Sequence, residues 1–310
     1  MKNSKKIPKT FSLKAFSLIE LSIVILIVGI LVAGVTQSSR LVARMKLFGA
    51  QSATTSSDIA SIPNLTLWLE TTLDNSITNA NGSMQLDDGN SISSLNDINP
   101  QTSNKINLTQ TNTSIQPTYK ASGINGFPSI NFNGSNQYLI NMSAMPVNLS
   151  DKDYTIILVW NTTSAEIGGI GQVVISQSDN PGSCNQLASI WVVSNTYGFA
   201  GGCNDFRTVN IISKTPYISI LTINNNLASN NISVYSNSNT PTVGTTSGGS
   251  ANLNIGIGNF LIGARYQNGN IMQYFVGLIS EVIIYDRALK IDEIKSVNAY
   301  LSKKFGIKIQ

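Results

Sequence analysis

The chain has 310 residues, room for one large domain or two modest ones, and 12% of them are charged against 42% hydrophobic. It contains no histidine, which excludes Ser-His-Asp and Cys-His catalysis and histidine-based metal sites on chemical grounds. The formal charge of +4 belongs to the first 15 residues: Lys2, Lys5, Lys6, Lys9 and Lys14 stand there without an acid, 15 basic residues face 16 acidic ones beyond them, and nothing supports nucleic-acid binding by a folded domain.

Residues 16–35 (FSLIELSIVILIVGILVAGV) are apolar except for Glu20 and small hydroxyls. At about 1.5 Å per residue such a run spans about 30 Å, the thickness of a bilayer core. A secretory signal also pairs a basic start with an apolar run. Two features argue against it: no Ala-x-Ala-like site ends the run, and a carboxylate stands near its start. A charge inside a membrane helix costs roughly 2.5–3.5 kcal/mol at the centre and less near the end, so Glu20 is a functional candidate. Leu41, Met45 and Phe48 recur at helical spacing, which extends the helix to about residue 50. Residues 51–63 (QSATTSSDIASIP) read as a linker.

From Asn64 onward short β-prone runs alternate with Asn, Gly, Ser and Pro turns. Strands are expected at 65–70, 129–132, 154–160, 172–176, 189–194, 196–200, 217–223, 231–236, 259–264 and 274–286. Few helical stretches separate them, so the pattern predicts a mainly β, antiparallel sandwich rather than a parallel sheet. One helix closes the chain at about 292–305. Ile294, Val297, Leu301 and Phe305 form its apolar stripe, with Asp292 and Glu293 in the first turn and Lys303 and Lys304 in the last, as the helix dipole favours. Cys184 and Cys203 are the two cysteines. In an exported protein an even, close pair reads as a disulfide rather than as two buried thiols, and a bridge closing about 20 residues stabilises by roughly 3 kcal/mol on the chain-entropy model.

The stretch Lys14-Ala15-Phe16-Ser17-Leu18-Ile19-Glu20 resembles the processing site of type IV prepilins and pseudopilins. The resemblance implies cleavage by a prepilin peptidase between Ala15 and Phe16, N-methylation of Phe16, and assembly with other pilin or pseudopilin subunits. Ala15 stands where that family usually has Gly. Glu20 matches the acidic residue whose carboxylate is thought to pair with a neighbouring subunit's α-amino group. The physics agrees, because a lone charge in the bilayer becomes tolerable beside a cation. Residues 1–15 are then the leader, 16–50 the membrane and assembly helix, 51–63 the linker and 64–310 the exported domain.

Three stretches of that domain resemble LamG-like, concanavalin A-like jelly rolls of bacterial surface proteins. They are LTLWLE (65–70), Gln116-Pro117-Thr118-Tyr119 with GINGFPSINFNGSNQYL (123–139), and NFLIGA (259–264) with YFVGLISEVIIYDRALKIDEIKSVNAYLSKKFG (274–306). They occur in the expected order. The family's Trp-x-Asp stretch corresponds to Leu95-Asn96-Asp97, without the Trp. Glu281 and Arg287 are expected to pair at the sheet edge. Lys290 stands where the family places a Ser or Thr before the final helix, which weakens the cap.

Glycan hydrolases of this class carry acidic residues on one face of a strand, and retaining ones need two carboxylates about 5–5.5 Å apart. No Glu-x-Asp-x-x-Glu-like strand occurs, so no catalytic residue is expected. No cofactor is expected either. Calcium is the ion the resemblance allows, with Asp87, Asp88, Asp151 and Asp153 as candidate ligands against the plainer account that they are solvated turn acids. The leading expectation is a non-catalytic minor subunit associated with a pilus. It would be a single-pass inner-membrane protein before assembly, with the domain periplasmic or extracellular, and would bind a glycan or a surface protein. The alternatives are a pseudopilin of a type II secretion system that binds cargo and a membrane-anchored glycan-active enzyme.

Overall fold

The computed structural model describes residues 17–143, 147–150, 152–164, 171–178, 186–203, 205–225, 227, 229–245, 255 and 258–310. Two compact units result, one up to Lys46 and one from Leu47 to Gln310.

The first unit is carried by helix α1, Leu18–Thr55, whose end from Leu47 onward belongs to the second unit. No charge falls between Leu21 and Val35 and no proline interrupts the helix. Its large apolar side chains from Leu18 to Val35 are 50–86% exposed. A helix apolar all round has no polar face to turn to water. By length and composition this one can cross a membrane.

The stretch 51–63, expected as a linker, is part of the second unit's packing. The helix runs on to Thr55, a 3-10 turn follows at Asp58–Ser61, and Ala50, Thr54, Ile59 and Ile62 are buried. The Gln51 amide donates to the Thr72 carbonyl at 2.9 Å, and the Tyr285 hydroxyl to the Ile59 carbonyl at 2.9 Å. The Ser/Thr composition reads as solvated chain, but two isoleucines spaced three apart supply the apolar anchors that hold it down.

Nineteen strands are described. In chain order they are β1 Leu65–Glu70, β2 Ile77–Asn79, β3 Ile92–Leu95, β4 Leu108–Thr109, β5 Thr118–Lys120, β6 Ser129–Asn133, β7 Leu139–Asn141, β8 Tyr154–Thr162, β9 Gln172–Ser178, β10 Leu187–Val193, β11 Thr196–Ala200, β12 Asp205–Asn210, β13 Tyr217–Ile223, β14 Ile232–Ser236, β15 Thr242–Gly244, β16 Asn259–Ile262, β17 Arg265–Gln267, β18 Asn270–Met272 and β19 Val276–Tyr285. Helix α2, Ile291–Phe305, closes the chain, and Gly306 ends it in the left-handed conformation at φ 63°.

Two antiparallel sheets face each other. The first has the order β15-β14-β13-β8-β19-β6-β5, with β1 pairing with the second half of β19 where β6 leaves off. The second has the order β12-β11-β10-β9-β16-β7-β4-β3-β2. The hairpin β17–β18 lies along β9, tied by Ser176 and Ser178 hydroxyls to the carbonyls of Ala264 and Tyr266 at 2.9 and 2.7 Å. The architecture is the expected antiparallel jelly-roll sandwich, preceded by one long helix and closed by a short one.

The apolar runs follow from the layering. Leu67, Leu69, Ile156, Leu158, Trp160, Val282 and Ile284 fill the space between the sheets. Their alternates Trp68, Ile157, Val159, Ile283 and Tyr285 point the other way, under α2 and the 3-10 turn. The first sheet is thus covered on both faces, and β8 is buried at every position. That is why YTIILVW shows no polar alternation, unlike a strand with one wet face.

Candidate functional site

Ala15 and Phe16 lie outside the described residues. Glu20 lies in the first turn of α1, where its carboxylate accepts the Ser17 backbone N–H at 2.9 Å. Cys203, in the turn before β12, is disulfide-bonded; its expected partner Cys184 lies outside the described residues. Of the candidate calcium ligands, Asp88 is engaged by Lys120 at 2.8 Å and by the Ala121 N–H at 2.8 Å. Asp87 shares that turn, where its own N–H donates to the Asn90 side chain at 3.0 Å. Asp153 accepts the Asn225 N–H at 2.7 Å, and Asp151 is outside the described residues. No group of three or more His, Cys, Asp or Glu is assembled among the described residues. Asp97 is buried: one carboxylate oxygen accepts the N–H groups of Trp68 and Asn99, at 3.0 and 2.9 Å, and the other that of Ile106 at 3.2 Å. Its role is to fix the loop beside β1.

The expected Glu281–Arg287 pair does not form. Arg287 instead grips Glu293 with two nitrogens, at 2.8 and 2.6 Å. Glu293 also accepts the Lys290 N–H at 2.8 Å, which supplies the helix start that the Lys290 side chain cannot. The bond from Arg287 holds the Glu293 carboxyl below the usual range. Glu293→Ala is expected to cost about 1 kcal/mol. Because its folded pKa is depressed, the carboxylate's contribution is present at neutral pH and lost as the pH falls through that value. Denaturant unfolding at neutral and acid pH checks this: the gap between variant and wild type should close in acid.

Glu281 turns inward to a buried cluster. It stands directly opposite Glu70 in the β1–β19 register, and both side chains are at most 1% exposed. Like charges so placed repel. Lys304 of α2 lies between them, 3.0 Å from Glu70 and 2.8 Å from Glu281. Tyr300 and Trp68 donate to the other oxygen of Glu281 at 2.7 and 2.8 Å. Glu70 also accepts the N–H groups of Thr72 and Leu73 at 2.7 and 2.6 Å. Burial pushes Glu70 up, but the Lys304 ammonium and these bonds outweigh it and leave the carboxyl below its ordinary value. Burial raises Glu281; Lys304 only partly offsets this, and the Glu70 charge adds to it. One cation thus serves two carboxylates. The pair is sealed beneath α2, so its work is to clamp that helix to the sheet rather than to meet a saccharide.

A second cluster, with no counterpart among the expected residues, is partly exposed. On β10, Ala188, Ile190 and Val192 point into the core, so Trp191 points outward. The residue paired with it on β11 is Gly198, and the residue paired with Gly198 on β12 is Arg207. Glycine at the middle position leaves Arg207 free to reach across to the indole, with its guanidinium 4.6 Å from the ring centroid. A Cβ at position 198 would lie 2.2 Å from the Phe206 carbonyl oxygen. Arg265, from β17, brings a second guanidinium 5.7 Å from the same ring. Asp205 pairs with Arg207 at 3.3 Å. Arg265 donates to the Gln267 amide oxygen, while its Nε and the Trp191 Nε1 are buried without a partner among the described residues. Burial lowers the Arg265 pKa, partly offset by Asp205. Sequence spacing could not reveal this group, because residues 191, 207 and 265 meet only through three strands and an overlaid hairpin.

The chain matches no protein-family model and no curated protein. Among solved structures, the binding domain of Paraclostridial Mosquitocidal Protein 1 is similar over 76% of this chain and 52% of that one, with 16% identity and a TM-score of 0.50. The SAP-like pentraxin of Limulus polyphemus matches 55% of this chain and 81% of its own, with 15% identity and a TM-score of 0.44. The NanB sialidase of Streptococcus pneumoniae matches 54% of this chain at 17% identity and a TM-score of 0.43. The match spans only 26% of the sialidase. At these identities the likeness concerns the fold, a lectin-like β-sandwich.

Proposed function

We propose that the chain is a pilus-associated, pilin-like minor subunit that displays a non-catalytic domain for binding a carbohydrate or a surface protein. The observation that carries this reading is the presence of two parts in one chain. One chain carries an apolar helix whose large side chains from Leu18 to Val35 are exposed, with Glu20 in its first turn, and a lectin-like sandwich. Water is a poor medium for the stretch from Leu18 to Val35, whereas a bilayer or a bundle of like helices covers it. Glu20 is costly in either setting unless a cation meets it, and the α-amino group of a neighbouring subunit cleaved before Phe16 would be one. The sandwich would then stand outside the inner membrane, where a disulfide at Cys203 persists.

N-terminal sequencing of the surface-exposed form tests the processing step. The expected start is methylated Phe16, and any other start sinks the prepilin reading. Glu20→Ala should leave the chain in the membrane but remove it from sheared filaments by about tenfold or more, as expected for a helix that loses its one charge-paired contact. Incorporation at the wild-type level would count against the assembly role. Recovery with a secretion machine rather than with filaments would favour the pseudopilin alternative.

A further inference from the structure

We infer that Arg40, Arg44 and Lys46 of α1 bind the anionic phospholipid headgroups of the bilayer surface through which the helix emerges. The inference rests on the reading of α1 as a membrane helix and names the partner of the segment just beyond its apolar run.

The apolar run ends at Val35, and α1 continues past it without a break. At about 1.5 Å per residue, Leu18 to Val35 covers about 27 Å, close to the thickness of a bilayer core. Arg40 then stands about 8 Å past the run, Arg44 about 14 Å and Lys46 about 17 Å. Long basic side chains snorkel along a helix, which brings Arg40 and Arg44 to headgroup level and Lys46 within a Debye length, about 8 Å, of it. All three side chains are exposed. No acid stands between Glu20 and Asp58 to answer them. Among the described residues every ion pair lies in the second unit, from Leu47 onward. Arg40 and Arg44 are also one helical turn apart, where like charges repel unless an anion comes between them.

The placement of the charges decides between a lipid surface and a protein partner. Arg40 and Arg44 share one face of the helix, and Lys46, two residues beyond Arg44, projects from nearly the opposite one. A single docked protein covers one side of a helix, whereas headgroups surround it on every side. Leu41 and Met45 are 60 and 64% exposed and lie between the two basic faces. Apolar and basic side chains alternating around one helix suit the boundary of acyl chains and headgroups. The sandwich does not share the attraction: from Leu47 onward 12 basic residues stand against 15 acidic ones, a balance that opposes an anionic surface. Beyond the leader, the excess of positive charge is therefore confined to these three residues.

The test uses the full chain carrying Lys2→Gln, Lys5→Gln, Lys6→Gln, Lys9→Gln and Lys14→Gln, so that the leader cannot supply the attraction. The chain is purified in neutral detergent micelles doped with equal amounts of phosphatidylglycerol and phosphatidylcholine, and the phospholipid retained per chain is measured. Phosphatidylglycerol should exceed phosphatidylcholine by about tenfold or more, and the excess should fall in about 1 M salt. Adding Arg40→Gln, Arg44→Gln and Lys46→Gln should remove the preference, whereas Arg40→Lys with Arg44→Lys should keep it. Circular dichroism checks that each variant retains its helix; if the glutamine variant does not, the salt dependence and the lysine variant carry the test. Equal retention of the two lipids overturns the inference, and so does a preference that survives the three glutamines or is unmoved by salt. Equal retention together with self-association that the three glutamines abolish would make a second copy of the chain the partner instead. In either case the pilin-like reading stands or falls separately, on the N-terminal sequence and on filament incorporation.

Discussion

Lys304→Met is expected to destabilise the sandwich unit by about 3–5 kcal/mol, the usual penalty for stranding a buried charge. For a unit of this size that corresponds to a fall of roughly 10 °C in the thermal midpoint. The substitution leaves Glu70 and Glu281 opposed across β1 and β19 with no cation between them. Glu281→Gln should cost much less. It leaves one ammonium facing one carboxylate and retains an acceptor for Tyr300 and Trp68. The pH dependence separates the two glutamates. Glu281 has a folded pKa above its unfolded value, so its contribution to stability is present below the unfolded value and lost as pH rises through the folded one. Glu70 has the opposite sign: its contribution is present above the unfolded value and lost as pH falls through the depressed one. In Lys304→Met the deficit should therefore shrink on mild acidification, when Glu281 takes up a proton. Circular dichroism of the full chain in micelles reads both effects. A variant as stable as wild type, or a deficit that grows as Glu281 protonates, would refute the clamp.

Trp160→Ala should cost about 3–5 kcal/mol as well, by opening the core between the sheets. Trp160 lies on β8 in the first sheet and has no exposure. Its ring meets Tyr197 of the second sheet edge-on, with centroids 5.2 Å apart, and packs on Tyr217 and Phe275 at 5.7 and 6.0 Å. The indole N–H donates to the Ser219 hydroxyl at 2.9 Å, which donates to the Tyr197 hydroxyl at 2.8 Å. The relay links the two sheets one residue from Gly198, so it also steadies the strand that separates Trp191 from Arg207. Trp160→Phe keeps a ring but removes the donor, and should cost nearer 1–2 kcal/mol. Guanidinium unfolding ranks the variants. If alanine proves no worse than phenylalanine, the aromatic cluster is not what joins the sheets.

Legibility followed physical signal strength. The ten expected strands coincide with β1, β6, β8, β9, β10, β11, β13, β14, β16 and β19 to within a few residues at their ends. Each is apolar enough to declare itself. The missed strands β2, β3, β4, β5, β7, β12, β15, β17 and β18 have two to six residues, too few to set up a period. Residues 51–63 read as a linker because their polar residues outnumber Ile59 and Ile62, which do the anchoring. Sequence proximity likewise points Glu281 to the wrong cation. Arg287 is six residues away in sequence, whereas Lys304 arrives only when α2 folds back over the sheet.

By itself the sequence determined the apolar helix with Glu20 at its head, the antiparallel sandwich and the closing helix. These depend on local composition and on periods of two and 3.6 residues, which the chain carries wherever it goes. Tertiary structure alone decided which charges are sealed and which charges meet. Glu70, Glu281 and Lys304 are acids and a base like any others until β1, β19 and α2 exclude water around them. Trp191, Arg207 and Arg265 are scattered through 75 positions of sequence. They become one face only because strand pairing sets a glycine between the first two and a hairpin folds the third across them.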